Sequence, residues 1–184
     1  MKYSSEDYEL MNETAINLRM DYGFLKEKMD VFELAKKLNI TLIPYSYLNS
    51  KQIKKVKEFD ELLKDGFTII RQVNGKNEFY TFFDDSVNTY RQRFTIAHEI
   101  KHVVFCEKEP TQKEEDLANY FARCLLAPSF LVMKYIGSSP FSIAYLFDIS
   151  FEAAQYALEG ALSRVAYGHN QLTSLEEEYS KMME

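Results

Sequence analysis

Apolar residues recur at helical and strand spacing through the first third of the chain, which predicts helices around one strand. The first predicted helix places Leu10, Ala15 and Leu18 on one apolar stripe. Asp30 can cap the second, because its carboxylate can accept hydrogen bonds from the free backbone N–H groups of a first turn. The elements predicted here are helices at residues 5–20, 31–39 and 51–64 and a strand at residues 40–47.

A β-hairpin is the clearest strand signal in the chain. Residues 66–73 and 78–83 are rich in β-branched and aromatic side chains, and Asn74-Gly75 lies between them. Asn-Gly is the pair that a tight type I′ turn prefers, since both central residues of that turn need a positive φ. We therefore predict two antiparallel strands joined at Asn74 and Gly75.

Helical periodicity dominates the rest of the chain. Capping side chains are available at Asp84, Asp85, Ser86 and Asn88, and residues 89–105 then repeat apolar positions at helical spacing. Pro110 interrupts this pattern, and a second helix is predicted at residues 112–126. Residues 129–184 predict four short helices.

The helix predicted at residues 89–105 contains the sequence His98-Glu99-Ile100-Lys101-His102. Residues four apart on an α-helix lie about 40° apart around the axis and roughly 6 Å along it, so both imidazoles project from one face and can bind one ion. Glu99 lies about 100° from His98, where it can hold a water molecule bound to that ion but cannot easily be a third ligand. The pattern therefore predicts a catalytic metal site with Glu99 as general base.

A third protein ligand is required, because a catalytic zinc is bound by three protein groups and keeps one position open to water. The second helix offers Glu114, Glu115 and Asp116. Periodicity does not choose well among them: Glu114 begins an apolar row, whereas Glu115 begins a row of small residues that permits close helix approach. The small neighbours favour Glu115 mildly, and all three carboxylates stay open as candidates.

Composition narrows the class of protein. The chain of 184 residues is 46% hydrophobic and 27% charged, a balance typical of a globular domain rather than a disordered chain. Its net charge of −6 makes nucleic acid a poor partner. The first residues carry no apolar leader and no apolar run would span a bilayer, so we expect a cytoplasmic protein with free thiols at Cys106 and Cys124.

A combined pattern in the middle of the chain resembles the ImmA/IrrE metallopeptidases. It joins RFTIAHEIKHVVF at residues 93–105 to E-x-x-A-N-x-F-A-x-x-L-L-x-P at residues 115–128, and the flanking sequence fits more loosely. Two residues depart from the usual family pattern: Lys101 replaces a small residue and Ala127 replaces a larger apolar one. Neither is a ligand in the family, and we expect Lys101 to alter the rim of the cleft.

The resemblance implies a zinc peptidase. In this family His98, His102 and Glu115 would bind one Zn²⁺ per chain, and Glu99 would take a proton from the water that attacks a peptide carbonyl. The implied fold is an α+β zincin-like domain with a small antiparallel sheet, the motif helix, a second ligand helix and a helical C-terminal layer. We expect one domain over residues 1–184, made of an N-terminal helix at 1–25, a zincin-like core at 26–136 and a helical region at 137–184.

The family also implies a biological role. Relatives of this kind are commonly encoded beside a helix-turn-helix repressor in mobile elements or stress circuits, so the expected partner is such a repressor of the Xre type, inactivated by cleavage. A toxin–antitoxin-like arrangement is equally compatible. We expect a protein substrate, no direct binding of nucleic acid and no membrane association.

Three further expectations concern the surroundings of the metal site. The strand at residues 78–83 is expected to be an edge strand that pairs with extended substrate. Cys106, four residues after His102, is expected to be a free core thiol. The donor that stabilises the oxyanion is not identified, and the candidates, each more often a packing or surface residue, are Tyr135, Tyr167 and His169.

Three other interpretations stay open. Two histidines and a carboxylate also describe the facial triad of a non-haem Fe(II) oxygenase, although oxygen chemistry does not require Glu99. The fold could instead serve as a binding module that holds a regulator without turnover. Residues 139–165 outline a helix-turn-helix, but no basic residue precedes Arg164 in its second helix, so we expect a structural helical pair.

Overall fold

The computed structural model describes residues 4–59 and 65–183, with the backbone alone at residues 55–59. Its helices are α1 (Ser5–Asp21), α2 (Val31–Lys37), α3 (Ser50–Phe59), α4 (Thr89–Val104), α5 (Gln112–Leu126), α6 (Ser129–Met133), α7 (Pro140–Phe147), α8 (Phe151–Ala166) and α9 (Ser174–Met182). Its strands are β1 (Ile40–Pro44), β2 (Gly66–Val73) and β3 (Lys76–Phe83), and a 3₁₀-helix follows β1 at Tyr45–Tyr47. The fold is α+β, as predicted.

Most predicted elements agree with the structure to within a few residues. The helix at 112–126 is α5, and the four helices expected in the last third are α6 to α9. The predicted strand at 40–47 ends early, because the chain turns into the 3₁₀-helix after Pro44. The helix expected at 51–64 is α3, and residues 60–64 of that prediction lie outside the described residues. Among the helices described, none combines the length and the apolar character needed to cross a bilayer.

The chain divides into two compact units. The first consists of Met1–Asp30 and Asn119–Glu184, and the second consists of Val31–Ala118. Helix α5 contributes its first half to the second unit and its second half to the first. The expected single domain and its inner boundaries stay a prediction. Each unit has its own buried apolar residues, which include Ile16, Phe121 and Phe147 in the first, and Leu34, Ile96 and Ile100 in the second.

Helix α1 in the first unit buries two residues of the predicted stripe, Ala15 and Leu18. Ser4 begins it with a capping box, in which its hydroxyl accepts from the backbone N–H of Asp7 and the Asp7 carboxylate accepts in return. Leu10 is 50% exposed, so the predicted stripe is wrong at that position. Arg19 lies on the buried face instead and donates to the Tyr179 hydroxyl at 2.9 Å and to the Leu125 carbonyl at 2.8 Å. These bonds satisfy a charged side chain that burial would otherwise destabilise.

The second unit contains a three-stranded sheet with strand order β1-β3-β2. The predicted hairpin is confirmed: β2 and β3 are antiparallel, and Asn74 and Gly75 have φ of 50° and 77°, as a type I′ turn requires. The prediction of an all-antiparallel sheet is wrong, because β1 pairs with β3 in parallel. After the hairpin reverses the chain, β3 runs in the same direction as β1 and fills the place between β1 and β2.

This order also overturns the expectation that β3 is an edge strand. It pairs with β1 on one side, from Ile40 opposite Phe79, and with β2 on the other, from Gly66 opposite Phe83. From Phe79 to Phe83 both edges of β3 are therefore paired within the sheet and cannot pair with extended substrate. Among the described strands, β1 and β2 form the edges.

Helix α4 packs across β2, β3 and α2 within this unit. The closest approach is at Gly66, the first residue of β2, where a Cβ atom would lie 2.5 Å from Thr95 Cγ2 and 2.7 Å from the Phe82 carbonyl oxygen. The Phe82 oxygen belongs to the backbone and Thr95 Cγ2 to a short branched side chain, so neither can easily move aside. Gly66 therefore allows the distance at which α4 lies on the sheet.

We predict that Gly66→Ala lowers the free energy of unfolding by about 1–3 kcal/mol, the usual cost of overpacking a close contact. The matched control is Gly160→Ala in α8, where a Cβ atom would meet nothing within 4 Å. That change should stabilise the protein by about 0.5–1 kcal/mol, since alanine is the better helix former. Chemical denaturation measures both. Equal effects of the two changes would contradict the close packing at Gly66.

Candidate metal centre

Helix α4 presents two faces that differ in chemistry. It begins at the Asn88 cap, whose side chain accepts from the Arg91 backbone N–H at 3.0 Å. Ile96 and Ile100 are buried on its apolar face. His98 and His102 lie one turn apart beside that face, with their ring centroids 4.9 Å apart and the planes at 63°. The helix therefore holds the two imidazoles as the motif predicts.

Glu115 of α5 completes a cluster with the two imidazoles. Its Oε2 lies 3.1 Å from His98 Nε2, and its Oε1 lies 3.4 Å from His102 Nε2. The two Nε2 atoms are 3.1 Å apart. Four atoms with electron pairs, on three side chains, therefore lie close together, and a cation or a shared proton among them would offset their repulsion.

These distances fit a small metal ion. Ligand bonds of 2.0–2.1 Å in a tetrahedron place neighbouring ligand atoms about 3.3 Å apart. The separations of 3.1–3.4 Å in this cluster agree with that spacing. Within the part of the chain that the structure describes, His98, His102 and Glu115 are the one such group, with ligand atoms all within 4.8 Å of one another.

The other two acidic candidates of α5 are used locally. The Glu114 carboxylate accepts from the Thr111 backbone N–H at 2.6 Å and from its hydroxyl at 2.7 Å, which caps the helix. Asp116 accepts from Gln112 Nε2 at 3.0 Å. Of the three acids, Glu115 is therefore the one whose carboxylate lies in the cluster, although the row of small residues favoured it only mildly.

Burial differs across the cluster. The side chains of His102 and His98 are 5% and 12% exposed, whereas Glu115 is 38% exposed. Desolvation lowers the pKa of His102, which favours the neutral imidazole that a metal ligand needs. The hydrogen bond with His98 lowers the pKa of Glu115, which favours its carboxylate. The open side of the cluster is therefore the Glu115 side.

Glu99 lies on the buried side, with 5% of its surface exposed. Burial raises the pKa of the Glu99 carboxyl to about 7, while the electrostatic influence of His98 acts in the opposite direction. The Thr68 hydroxyl of β2 donates to the Glu99 carboxylate. Thr68 also lies 2.7 Å from the hydroxyl of Thr81, its register partner on β3. A group with such a pKa can exchange protons near neutrality.

Two residues beside the cluster were not predicted to act there. The Glu107 carboxylate lies 2.7 Å from His102 Nδ1 and 2.6 Å from Lys101 Nζ. Lys101 is 1% exposed, so the expectation that it alters the rim of the cleft is wrong. The Asn-Gly turn fixes the register of the hairpin, so the sequence alone could have predicted that Thr68 lies opposite Thr81. No periodicity predicts a role for Glu107, because it follows the end of α4.

The remaining expectations have different outcomes. Cys106 is exposed rather than in the core, because it follows the end of α4 with a φ of 53°. In the first unit, the Tyr135 hydroxyl donates to Glu27 at 2.6 Å, and this bond raises the pKa of Tyr135 to about 12. Tyr167 is 80% exposed and His169 is also exposed. The role of oxyanion donor stays a prediction for all three.

A family comparison agrees with this centre. Residues 82–159 match the peptidase family M78 model, described as the IrrE N-terminal-like domain. This segment is similar to an IrrE N-terminal-like domain. The match contains both histidines and Glu115, and it confirms the resemblance found in the sequence. A search of curated proteins found no match. The match suggests a metallopeptidase-like domain, a class of domain that normally holds a metal.

The raised pKa of Glu99 predicts a pH effect on the metal-free protein. A carboxyl whose pKa is higher in the folded than in the unfolded state contributes stability below the unfolded pKa and loses it as pH rises through the folded pKa. Between about pH 5 and about pH 8, the free energy of unfolding should therefore fall by about 3 kcal/mol relative to Glu99→Gln. Urea titrations of both proteins with a chelator present measure this, and parallel pH profiles would contradict it.

Proposed function

We propose that this protein is a zinc-dependent peptidase with a zincin-like core, acting on a protein partner in the cytoplasm. The observation that carries the proposal is the cluster of His98, His102 and Glu115, with the buried carboxyl of Glu99 on the same helix. Two imidazoles and one glutamate, with an open side, are the ligand set of catalytic zinc in many peptidases. The family match supports the same chemistry.

In the proposed reaction Glu99 is the general base. Zinc, when bound, supplies a Lewis acid that makes a water molecule more acidic and polarises the peptide carbonyl. Glu99 accepts the proton from that water as the water oxygen bonds to the carbonyl carbon. The same carboxyl then donates the proton to the amine when the C–N bond breaks. A carboxyl suits both steps, because the group must take and return a proton.

The structure favours hydrolysis over the Fe(II) oxygenase alternative. Both sites need two histidines and a carboxylate, so the cluster itself does not distinguish them. An oxygenase has no need for a second carboxyl whose pKa burial raises to near neutral pH. Glu99 is such a group, and Thr68 and Thr81 fix its orientation.

The proposed substrate is a helix-turn-helix repressor of the Xre type, as the family implies. A protein substrate agrees with a further feature of α8, the second helix of the segment that outlines a helix-turn-helix. Its basic residue, Arg164, is paired with Glu176 through two contacts of 2.6 Å and is therefore neutralised. This pairing supports an indirect role in regulation, through a protein rather than through DNA.

We predict that the intact protein binds about one zinc per chain, and that Glu115→Gln weakens this binding more than about a hundredfold, beyond the usual effect of a residue outside the ligand set. The matched control is Asp116→Asn, which also replaces a carboxylate by an amide of the same size, one position further along α5. It should leave affinity unchanged, since Asp116 contacts Gln112. Zinc titration against a chelator, with elemental analysis, measures both. Equal affinities of the two variants would contradict the assignment of Glu115.

We predict that Glu99→Gln keeps zinc but abolishes peptide cleavage, because the base is lost and the ligands stay. Cells that express either the intact protein or Glu99→Gln can be compared by mass spectrometry of new protein N-termini. New termini in a repressor, with the intact protein only, would support the full proposal.

Other outcomes separate its parts. Cleavage of a different protein would support the peptidase activity but contradict the repressor as its substrate. A regulatory effect that survives in Glu99→Gln would remove the peptidase and favour the binding module.

A further inference from the structure

We infer that Glu107 is a positioning residue for the metal centre: it fixes the imidazole of His102, and a buried pair with Lys101 holds it in place. This inference rests on the proposed zinc site but names residues outside its ligand set. The ring nitrogen that faces away from a metal commonly donates to a carboxylate, which orients the ring and makes its other nitrogen a stronger ligand.

The end of helix α4 brings the backbone of Glu107 back to His102. Cys106 has a φ of 53°, and its N–H donates to the Val103 carbonyl at 3.1 Å. The N–H of Glu107 donates to the His102 carbonyl at 2.9 Å. These two bonds form a Schellman motif, in which the chain folds back over the last turn of a helix. The motif normally uses glycine, so Cys106 adopts a conformation that few side chains favour.

The side chain of Glu107 then contacts the same residue as its backbone. Its Oε2 lies 2.7 Å from His102 Nδ1. A carboxylate only accepts hydrogen bonds, so Nδ1 carries the proton and donates it. The electron pair of the ring is therefore on Nε2, which is the atom that faces His98 and Glu115. The bond to Glu107 selects the tautomer that can bind a metal.

Lys101 holds Glu107 in this position. Its Nζ lies 2.6 Å from each oxygen of the Glu107 carboxylate, so the carboxylate cannot rotate without losing a contact. The same Nζ donates to the backbone carbonyl of Glu114 at 3.1 Å, next to Glu115. Lys101 therefore connects the group that orients one ligand to the backbone beside another.

The location of this pair explains the unusual residue in the motif. Lys101 stands where the resembled family usually has a small residue, and its side chain is almost completely buried. A buried ammonium needs a partner of opposite charge, and Glu107 supplies it. The two residues therefore act as a unit. A single change at Glu107 would leave the lysine buried without its carboxylate, and such a protein can fail to fold.

The test therefore compares variants in which no buried ammonium is left without its carboxylate. The pair is Lys101→Met and the double variant K101M/E107Q, which differ only in the carboxylate of Glu107. The control is Glu109→Gln, the same substitution at an exposed position of the same connector. Zinc affinity is measured by chelator competition, and thermal unfolding of the metal-free proteins shows that each is folded. The absorption spectrum of the cobalt-substituted proteins reports the ligand field directly.

We expect K101M/E107Q to bind zinc about 10–100-fold more weakly than K101M, the usual effect of removing a group that orients a ligand. The visible bands of its cobalt form should shift, because His102 becomes a weaker ligand; a role in packing alone would not move them. Glu109→Gln should match the intact protein in both measurements.

Two other results have separate meanings. Equal zinc affinities and equal cobalt spectra for K101M and K101M/E107Q would overturn the role of Glu107 and leave the zinc site in place. No tight zinc binding by the intact, folded protein would overturn the proposed function, and this inference with it.

Discussion

Three groups that carry electron pairs, on His98, His102 and Glu115, must be held about 3 Å apart although they repel one another until a cation or proton lies between them. The rest of the second unit can be understood as the scaffold that enforces this arrangement. Helix α4 fixes the histidines one turn apart, and its contact with the sheet at Gly66 fixes the helix. A centre that is held together in advance does not need to be assembled when metal binds, so less conformational entropy is lost on binding.

The same packing sets the chemistry of the base. Glu99 is next to His98 in sequence but points into the buried side of α4, where desolvation raises its pKa to about 7. Glu115, at the more open side, keeps a lowered pKa because it is hydrogen-bonded to His98. The pKa values of two carboxyls close to one centre are therefore shifted in opposite directions, which fits the proposed roles of Glu99 in proton transfer and Glu115 in binding.

Both kinds of functional group are oriented by hydrogen-bonding groups outside the cluster. On the sheet side, the hydroxyls of Thr81 and Thr68 form a chain that ends at Glu99. On the connector side, Lys101 and Glu107 form a chain that ends at His102. Neither chain supplies a ligand, yet each limits how far a reacting side chain can rotate. Precision in such a centre comes from these supporting contacts as much as from the ligands themselves.

The local pattern of the sequence was sufficient for the helices, the hairpin turn and the pair of histidines, because helical spacing and the positive φ of Asn74 and Gly75 depend on neighbours in the chain. Local spacing favoured Glu115 over the other acids of α5 only mildly. The tertiary structure decided what depends on distant residues: the parallel pairing of β1, the central place of β3, and the burial of Lys101 beside Glu107. Strand partners and buried ion pairs depend on which surfaces pack together in the folded chain, and the spacing of residues along the sequence does not specify that packing.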